Sequence, residues 1–322
     1  MKVLGVGKRI CKQIRKNWKD ISWWKRVPAH WLIHNFYYGR VISNKGRRVM
    51  EEDWDNLIIL DACRYDLFLE VTGSEADYII SRGSSTAEFL KENIAGHKYA
   101  DTVVVTANPI VSRMVKNNFH KILPVWKAAW DYELNTVLPQ TMIQYALESE
   151  RKYPDKRLIV WFIQPHYPFI ENPEIYPSGM KRALEVTKFN RSNIRASNPW
   201  KEVAMGNLEI DKVWQAYKRN LQIVIPYAFE LARQLKGKTV ITADHGETFE
   251  RLRFPLPVRV AGHPHRTHIL SLVKVPWLVF ESQERKEIKG GLTPETERIK
   301  VRLRRLKESG KLRVANKLGK ET

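Results

Sequence analysis

Thr239-Val240-Ile241-Thr242-Ala243-Asp244-His245-Gly246-Glu247 is an apolar, β-branched run that ends on an acid, an imidazole and a glycine. Four such residues without polar alternation suit a strand buried on both faces. Adjacent Asp244 and His245 at its end can present one hard oxygen and one imidazole nitrogen to the same divalent ion. Gly246 lets the backbone turn sharply beside that ion. Taken alone, Asp-His-Gly is a short match, and a structural turn is an equal reading of it.

The same pattern recurs along the chain. Leu57-Ile58-Ile59-Leu60 ends at Asp61, Leu158 to Ile163 ends near Pro165 and His166, and Thr102 to Thr106 and Val275 to Phe280 are further candidate strands. Helical spacing falls between them at 109–118, 139–152 and 208–235, where Leu208, Val213, Tyr217, Leu221, Val224 and Leu231 recur. Pro226 is expected to kink or divide that last stretch. Strands alternating with helices predict an α/β fold: a mostly parallel central sheet flanked by helices on both faces. Ligands of such sheets bind beyond the carboxyl ends of the strands. Asp61, His166 and Asp244-His245 each stand at such an end, and would converge on one rim. A single Asp after a strand is usually a cap or turn residue; three positions together point to a site.

A chain of 322 residues, 43% hydrophobic and 28% charged, has the make-up of a globular protein with a substantial core. No stretch approaches the roughly 18 apolar residues of a membrane span. Val3 to Val6 is too short for the apolar part of a secretory signal, and Lys8, Arg9 and Lys12 follow at once. Cys11 and Cys63 are the only cysteines, so a disulfide framework is not expected and a reducing cytoplasm is. The net charge of +20 is unevenly placed. Residues 1–48 hold thirteen Lys or Arg against Asp20 alone, residues 285–322 hold thirteen against five acids, and residues 49–284 are balanced. A neutral domain with two basic ends is expected to meet something anionic through those ends.

In the first basic segment Val6, Ile10, Ile14 and Trp18 form an apolar stripe flanked by Lys8, Arg9, Lys12, Arg15, Lys16 and Lys19, with Trp23, Trp24, Trp31, Tyr37 and Tyr38 beyond. This pattern suits a peripheral helix on an anionic membrane surface, or equally a stripe that packs on the domain. Nucleic acid is the less favoured partner, because no binding motif accompanies the charge. At the other end, Thr293-Pro294-Glu295 reads as a helix start, Ile299, Leu303 and Leu306 give that helix an apolar edge, and residues from Ser309 onward are expected to be disordered.

Six segments in order resemble the alkaline-phosphatase/sulfatase superfamily, over residues 54–281. Asp61-Ala62-Cys63-Arg64-Tyr65-Asp66 is similar to the Asp-x-x-Arg-x-Asp segment after the first sulfatase strand. Gly83-Ser84-Ser85-Thr86-Ala87-Glu88-Phe89 looks like the nucleophile turn of phosphoethanolamine transferases and lipoteichoic acid synthases. Gln164-Pro165-His166-Tyr167-Pro168-Phe169 resembles His-Pro-His-x-Pro-Tyr, with Gln164 in place of the first His. Thr242 to Glu247, then Gly262-His263-Pro264, then Val275-Pro276-Trp277-Leu278-Val279 complete the order.

The resemblance implies a metal-dependent hydrolase or transferase of phosphate-type esters. One divalent ion (Mn, Zn, Mg or Ca) would be held by Asp61, Thr86, Asp244 and His245. Thr86, just before a helix over 87–94, would be the nucleophile, in competition with Ser84 and Ser85, and all three hydroxyls can instead cap the helix. His166 and His263 would contact substrate oxygens or the leaving group, with His265 and His268 as alternatives to His263. Arg64 would orient Asp61. The substrate would be an anionic ester, such as a glycan or a lipid-linked group.

Two departures narrow this. No Cys/Ser-x-Pro/Ala-x-Arg motif is present and Cys63 reads as a small buried cysteine, so sulfatase activity is disfavoured. The Asp-x-x-x-His pair of two-metal relatives is also missing, since Asp211 is followed by Gln215, so one metal is expected. The alternative is a non-catalytic, membrane-associated binding protein that keeps the fold; the intact set of four ligands speaks against it.

Overall fold

The computed structural model describes residues 46–175, 198–249, 251–252 and 258–290, together with Lys19. Strand β1 (Asn56–Asp61) is buried at all six positions. Successive strand residues point to opposite faces, so burial of every one means that both faces are covered. The sheet also contains β2 (Asp77–Ile80), β3 (Tyr99–Thr106), β4 (Phe119–Pro124), β5 (Arg157–Pro165), β6 (Thr239–Thr242) and, after a separate two-stranded ribbon of β7 (Arg251–Leu252) and β8 (Val258–Arg259), β9 (Lys274–Phe280). Its order is β2-β9-β6-β1-β5-β3-β4. β1 runs parallel to both β5 and β6, and β3 parallel to β4 and β5. β9 alone is reversed, antiparallel to β6 and to β2. The expected mostly parallel sheet is therefore found, with its apolar centre at β6, β1 and β5.

Helix Pro139–Lys152 has the predicted bounds, and helix Pro109–Met114 occupies the first part of the predicted 109–118. Helix Ile210–Gln234 continues through Pro226, so of the two expected effects the proline does not divide the helix. An interior proline costs about 3 kcal/mol. Each of Val213, Tyr217, Leu221, Val224, Ile225 and Leu231 is buried on this helix, and full burial stabilises by about 1.5–3 kcal/mol per large apolar side chain. Pro226 and Gln222 lie on the exposed face, so water can serve the carbonyl that the proline leaves unbonded.

The apolar stripe of residues 6–18 and the helix predicted from Thr293 lie outside the described residues. Residues 285–289 are described, and they pack at the amino-terminal end of the central strands. Arg285 pairs with Asp53 and Asp55, Lys286 donates to Asn56 Oδ1, and the Lys289 amide donates to the carbonyl of Asp155. Among the described residues no helix is long and apolar enough to cross a membrane.

Candidate active site

Because β6, β1 and β5 are neighbours, their carboxyl ends bring Asp244, Asp61 and His166 to one rim. Asp244 uses Oδ1 to accept the backbone amides of Ala62 and His245, both at 3.0 Å. Its Oδ2 is buried without a hydrogen-bond partner. Asp61 Oδ2 accepts from Asn108 Nδ2 at 2.5 Å, while its Oδ1 lies 3.9 Å from His245 Nε2. His245 Nδ1 donates to the Gly246 carbonyl at 2.7 Å, an atom that can only accept. The Nε2 lone pair therefore faces inward, 3.4 Å from Asp244 Oδ2 and 3.3 Å from Thr86 Oγ1. Gly246 is needed for close approach: a Cβ there would lie 2.1 Å from the Ser271 carbonyl oxygen.

The electrostatics of this cluster call for a cation. Burial, then the neighbouring Asp244 charge, push the Asp61 carboxyl well above its ordinary range. Burial raises Asp244 to about 6, against the pull of its backbone amides. Burial, reinforced by His263, holds His245 neutral. One ligand atom each from Asp61, Asp244 and His245 falls within 4.8 Å of the others. Two buried carboxylates, an unpartnered oxygen and an imidazole lone pair facing one point fit a divalent ion.

Three adjacent hydroxyls are sorted by their partners. Helix Thr86–Asn93 begins at Thr86 itself, one residue earlier than predicted, and neither Ser nor Thr caps it through a side chain. Ser84 Oγ bonds Glu88 Oε2 and the Pro264 carbonyl, each at 2.9 Å. Ser85 Oγ meets His265 Nδ1 at 3.0 Å. Thr86 Oγ1 is the hydroxyl that joins the ligand cluster. The competing histidines are sorted too, since His265 pairs with Ser85 and His268 Nε2 with Glu88 Oε1. The His263 ring lies between those of His166 and His245, tilted to both, at centroid distances of 5.1 and 4.7 Å.

His263 Nδ1 sits 2.9 Å from Glu247 Oε1. Burial opposes charge on His263, but the Glu247 carboxylate outweighs it and raises the pKa. His166 is the opposite case: burial, aided by the two other histidines, drives its pKa well below normal. Its Nδ1 bonds the Tyr167 carbonyl at 2.6 Å, leaving Nε2 free to accept. His166, Glu247 and His263 form a second cluster of three donors, separate from Asp211 and Gln215, which are both exposed.

Arg64 does not do what the resemblance implies. Its guanidinium grips Asp66 through Nε and Nη2, and Nη1 donates to the Glu247 carbonyl; Asn108 holds Asp61 instead. Gln164 braces Val137 and Thr136 from a fully buried position, and Cys63 is buried as read. Five supporting residues were given no site role in the sequence reading. Tyr217 donates to the Ala62 carbonyl and accepts the Arg64 amide, steadying Ala62 at φ 60°. Asn220 donates to the carbonyls of Pro165, His166 and Pro168. Glu88 and Glu247 were visible inside their motifs, whereas nothing in the sequence pointed from Asn108 to Asp61.

No family model matches the chain, and no curated protein matches it by sequence. Solved structures similar to it include the soluble domain of lipooligosaccharide phosphoethanolamine transferase A from Neisseria meningitidis, with 12% identity and a TM-score of 0.42 over 71% of this chain and 76% of that one. The C-terminal periplasmic domain of phosphoethanolamine transferase EptC from Campylobacter jejuni gives 17% identity and a TM-score of 0.43 over 71% and 78%. A protein in the alkaline phosphatase superfamily from Vibrio parahaemolyticus gives 14% and 0.37 over 74% and 62%. These are distant likenesses of fold. The superfamily resemblance of this chain stands on its six ordered segments and on the rim where the fold gathers their polar residues.

Proposed function

We propose that this chain is a metal-dependent hydrolase or transferase of phosphate-type esters that acts through Thr86. One observation carries the reading: of three neighbouring hydroxyls, Thr86 Oγ1 meets the buried Asp61, Asp244 and His245 cluster, 3.3 Å from His245 Nε2. A divalent ion held by these four residues would lower the pKa of that hydroxyl and neutralise the non-bridging oxygens of an anionic ester. Thr86 Oγ, its proton released to solvent when the ion is bound, then forms the bond to phosphorus as the bond to the leaving oxygen breaks. His263, whose pKa the Glu247 carboxylate raises, gives a proton to that oxygen. In the second half, water or an alcohol displaces Thr86 and returns a proton to the now neutral His263. When the acceptor is water, His166 Nε2 accepts a hydrogen bond from its second O–H and aims it. Free amides at the start of helix Thr86–Asn93 favour the anionic group. An anionic glycan or a lipid-linked group is the substrate we favour.

The full chain should bind one divalent ion. Asp244→Asn and His245→Ala should lose it while their circular dichroism stays native. Thr86→Ala should keep the ion yet lose turnover of an aryl phosphodiester by on the order of 10³ or more. Normal turnover by Thr86→Ala with an inactive Ser85→Ala would move the nucleophile one residue back. A wild-type chain that binds no divalent ion sinks the reading.

A further inference from the structure

We infer that Asn108 is a positioning residue that restricts Asp61 to one inward oxygen and so sets which divalent ion the site prefers; this rests on the metal reading above. Asn108 follows β3 and reaches across to the end of β1, two strands away in the sheet. Its side chain is held at both ends. Oδ1 accepts the Ile110 amide at 2.8 Å as the cap of helix Pro109–Met114, which leaves Nδ2 to face Asp61 Oδ2. The amide orientation follows from the network, because a backbone N–H must meet the oxygen and a carboxylate must meet the nitrogen. The Asn108 backbone is fixed as well, its own amide donating to Thr106 Oγ1 at 3.0 Å.

The consequence is a limit on donors. Asp61 has Oδ2 occupied by Asn108, and Asp244 has Oδ1 occupied by the Ala62 and His245 amides. Each carboxylate then turns one oxygen inward, to be joined by Thr86 Oγ1 and His245 Nε2. Four donors, one of them an imidazole nitrogen, suit Zn²⁺ or Mn²⁺. Ca²⁺ takes about 6–8 oxygens and commonly engages a carboxylate through both. The backbone amides on Asp244 cannot be removed by substitution, so the Asn108 side chain is the restraint that can be tested.

The test is direct titration of the metal-stripped full chain with Zn²⁺, Mn²⁺ and Ca²⁺, each alone. Asn108→Ser retains a good helix cap but its hydroxyl is too short to reach Asp61. We expect its Ca²⁺ affinity relative to Zn²⁺ to rise by about tenfold or more, within the range that supporting residues of metal ligands exert. Asn108→Asp also keeps the cap, adds an oxygen beside Asp61 and should shift the ratio in the same direction. It serves as the second variant should the serine fail to fold. A role in capping alone, which both variants keep, would leave the ratio unchanged, which overturns the inference but not the metal reading. Failure of wild type to bind any of the three ions overturns both.

Discussion

Asp244 divides its carboxylate between two tasks, backbone support through Oδ1 and an open Oδ2. Without a cation the ionised form is penalised, which is why burial lifts its pKa from 3.8 to about 6. A carboxyl raised on folding binds more protons in the native than in the unfolded state across that window, so ionising it as pH rises costs stability. A bound cation reverses the penalty by stabilising the charged form. The rise in melting temperature on adding Zn²⁺ should therefore be large at pH 7.5 and shrink as pH falls through about 6. His245 does not blur this window, because its imidazole stays neutral well below the usual range. Equal Zn²⁺-induced shifts at pH 5 and 7.5, read by calorimetry, would remove Asp244 from the ligand set. The four residues proposed as ligands could be read as candidates because each stands at a strand end or in a motif. Closeness in sequence to Asp61 says nothing about the direction in which Arg64 points; its Nε and Nη2 bond Asp66, two residues on. Asn108 was hidden for a different reason, since its contact with Asp61 depends on strand order.

At the scale of elements, Glu88 ties the nucleophile turn to the loop that carries His263. Oε2 accepts the Ser84 amide at 3.0 Å, the Ser84 hydroxyl at 2.9 Å and the Arg266 amide at 3.1 Å, while Oε1 faces His268. Burial works against the charge, yet His268 and Ser84 together bring its pKa down to about 2. The depressed carboxylate is stabilising above its unfolded value of 4.5 and stays so until pH falls towards 2. Near neutral pH the tie is fully formed. Glu88→Gln places an amide group where oxygens accepted, and an unsatisfied buried group costs about 1–3 kcal/mol. We expect amide hydrogen exchange at Arg266 and Thr267 to accelerate by about tenfold or more, as about 1.4 kcal/mol implies, and that at Ala62 to stay slow. Slow exchange throughout in Glu88→Gln would show that the loop is held by other means.

The interior elements that this tie connects were readable as apolar runs, whereas the two edge strands were not. In β2, Asp77 and Tyr78 face solvent, and Phe119-His120-Lys121 opens β4 with two polar residues. Edge strands are kept short and polar because an apolar edge invites aggregation, so they leave little periodic signal. Pro226 does not divide its helix, because packing on the buried face offsets its local cost.

At the scale of the whole molecule, residues 46–48 and 285–290 of the two basic ends lie at different ends of the sheet. Arg285, Lys286 and Lys289 attach beside Asp55, Asn56 and Asp155, where β1 and β5 begin. The other end enters next to the site. Gly46 lies so near the end of β2 that a Cβ would sit 2.2 Å from the Ile80 carbonyl oxygen, and the Arg47 amide donates to the same atom at 2.9 Å. The next residue, Ser81, bonds the Asp244 carbonyl, so this entry point is on the ligand rim. The segment before residue 46 carries Lys8, Arg9, Lys12, Arg15, Lys16 and Lys19 around its apolar stripe. Each basic residue near an anionic bilayer contributes about 1 kcal/mol, screened by salt. A segment attached there would hold the catalytic rim, and not the opposite end of the sheet, close to the surface. The full chain should co-sediment with phosphatidylglycerol vesicles, ignore phosphatidylcholine vesicles and be released in part by high salt. Replacing those six basic residues by Gln should abolish co-sedimentation without changing turnover of a soluble ester. Replacing Arg302, Arg304 and Arg305 by Gln should leave both unchanged. Detachment by the carboxyl-terminal replacements alone would reverse this orientation and turn the catalytic rim away from the membrane.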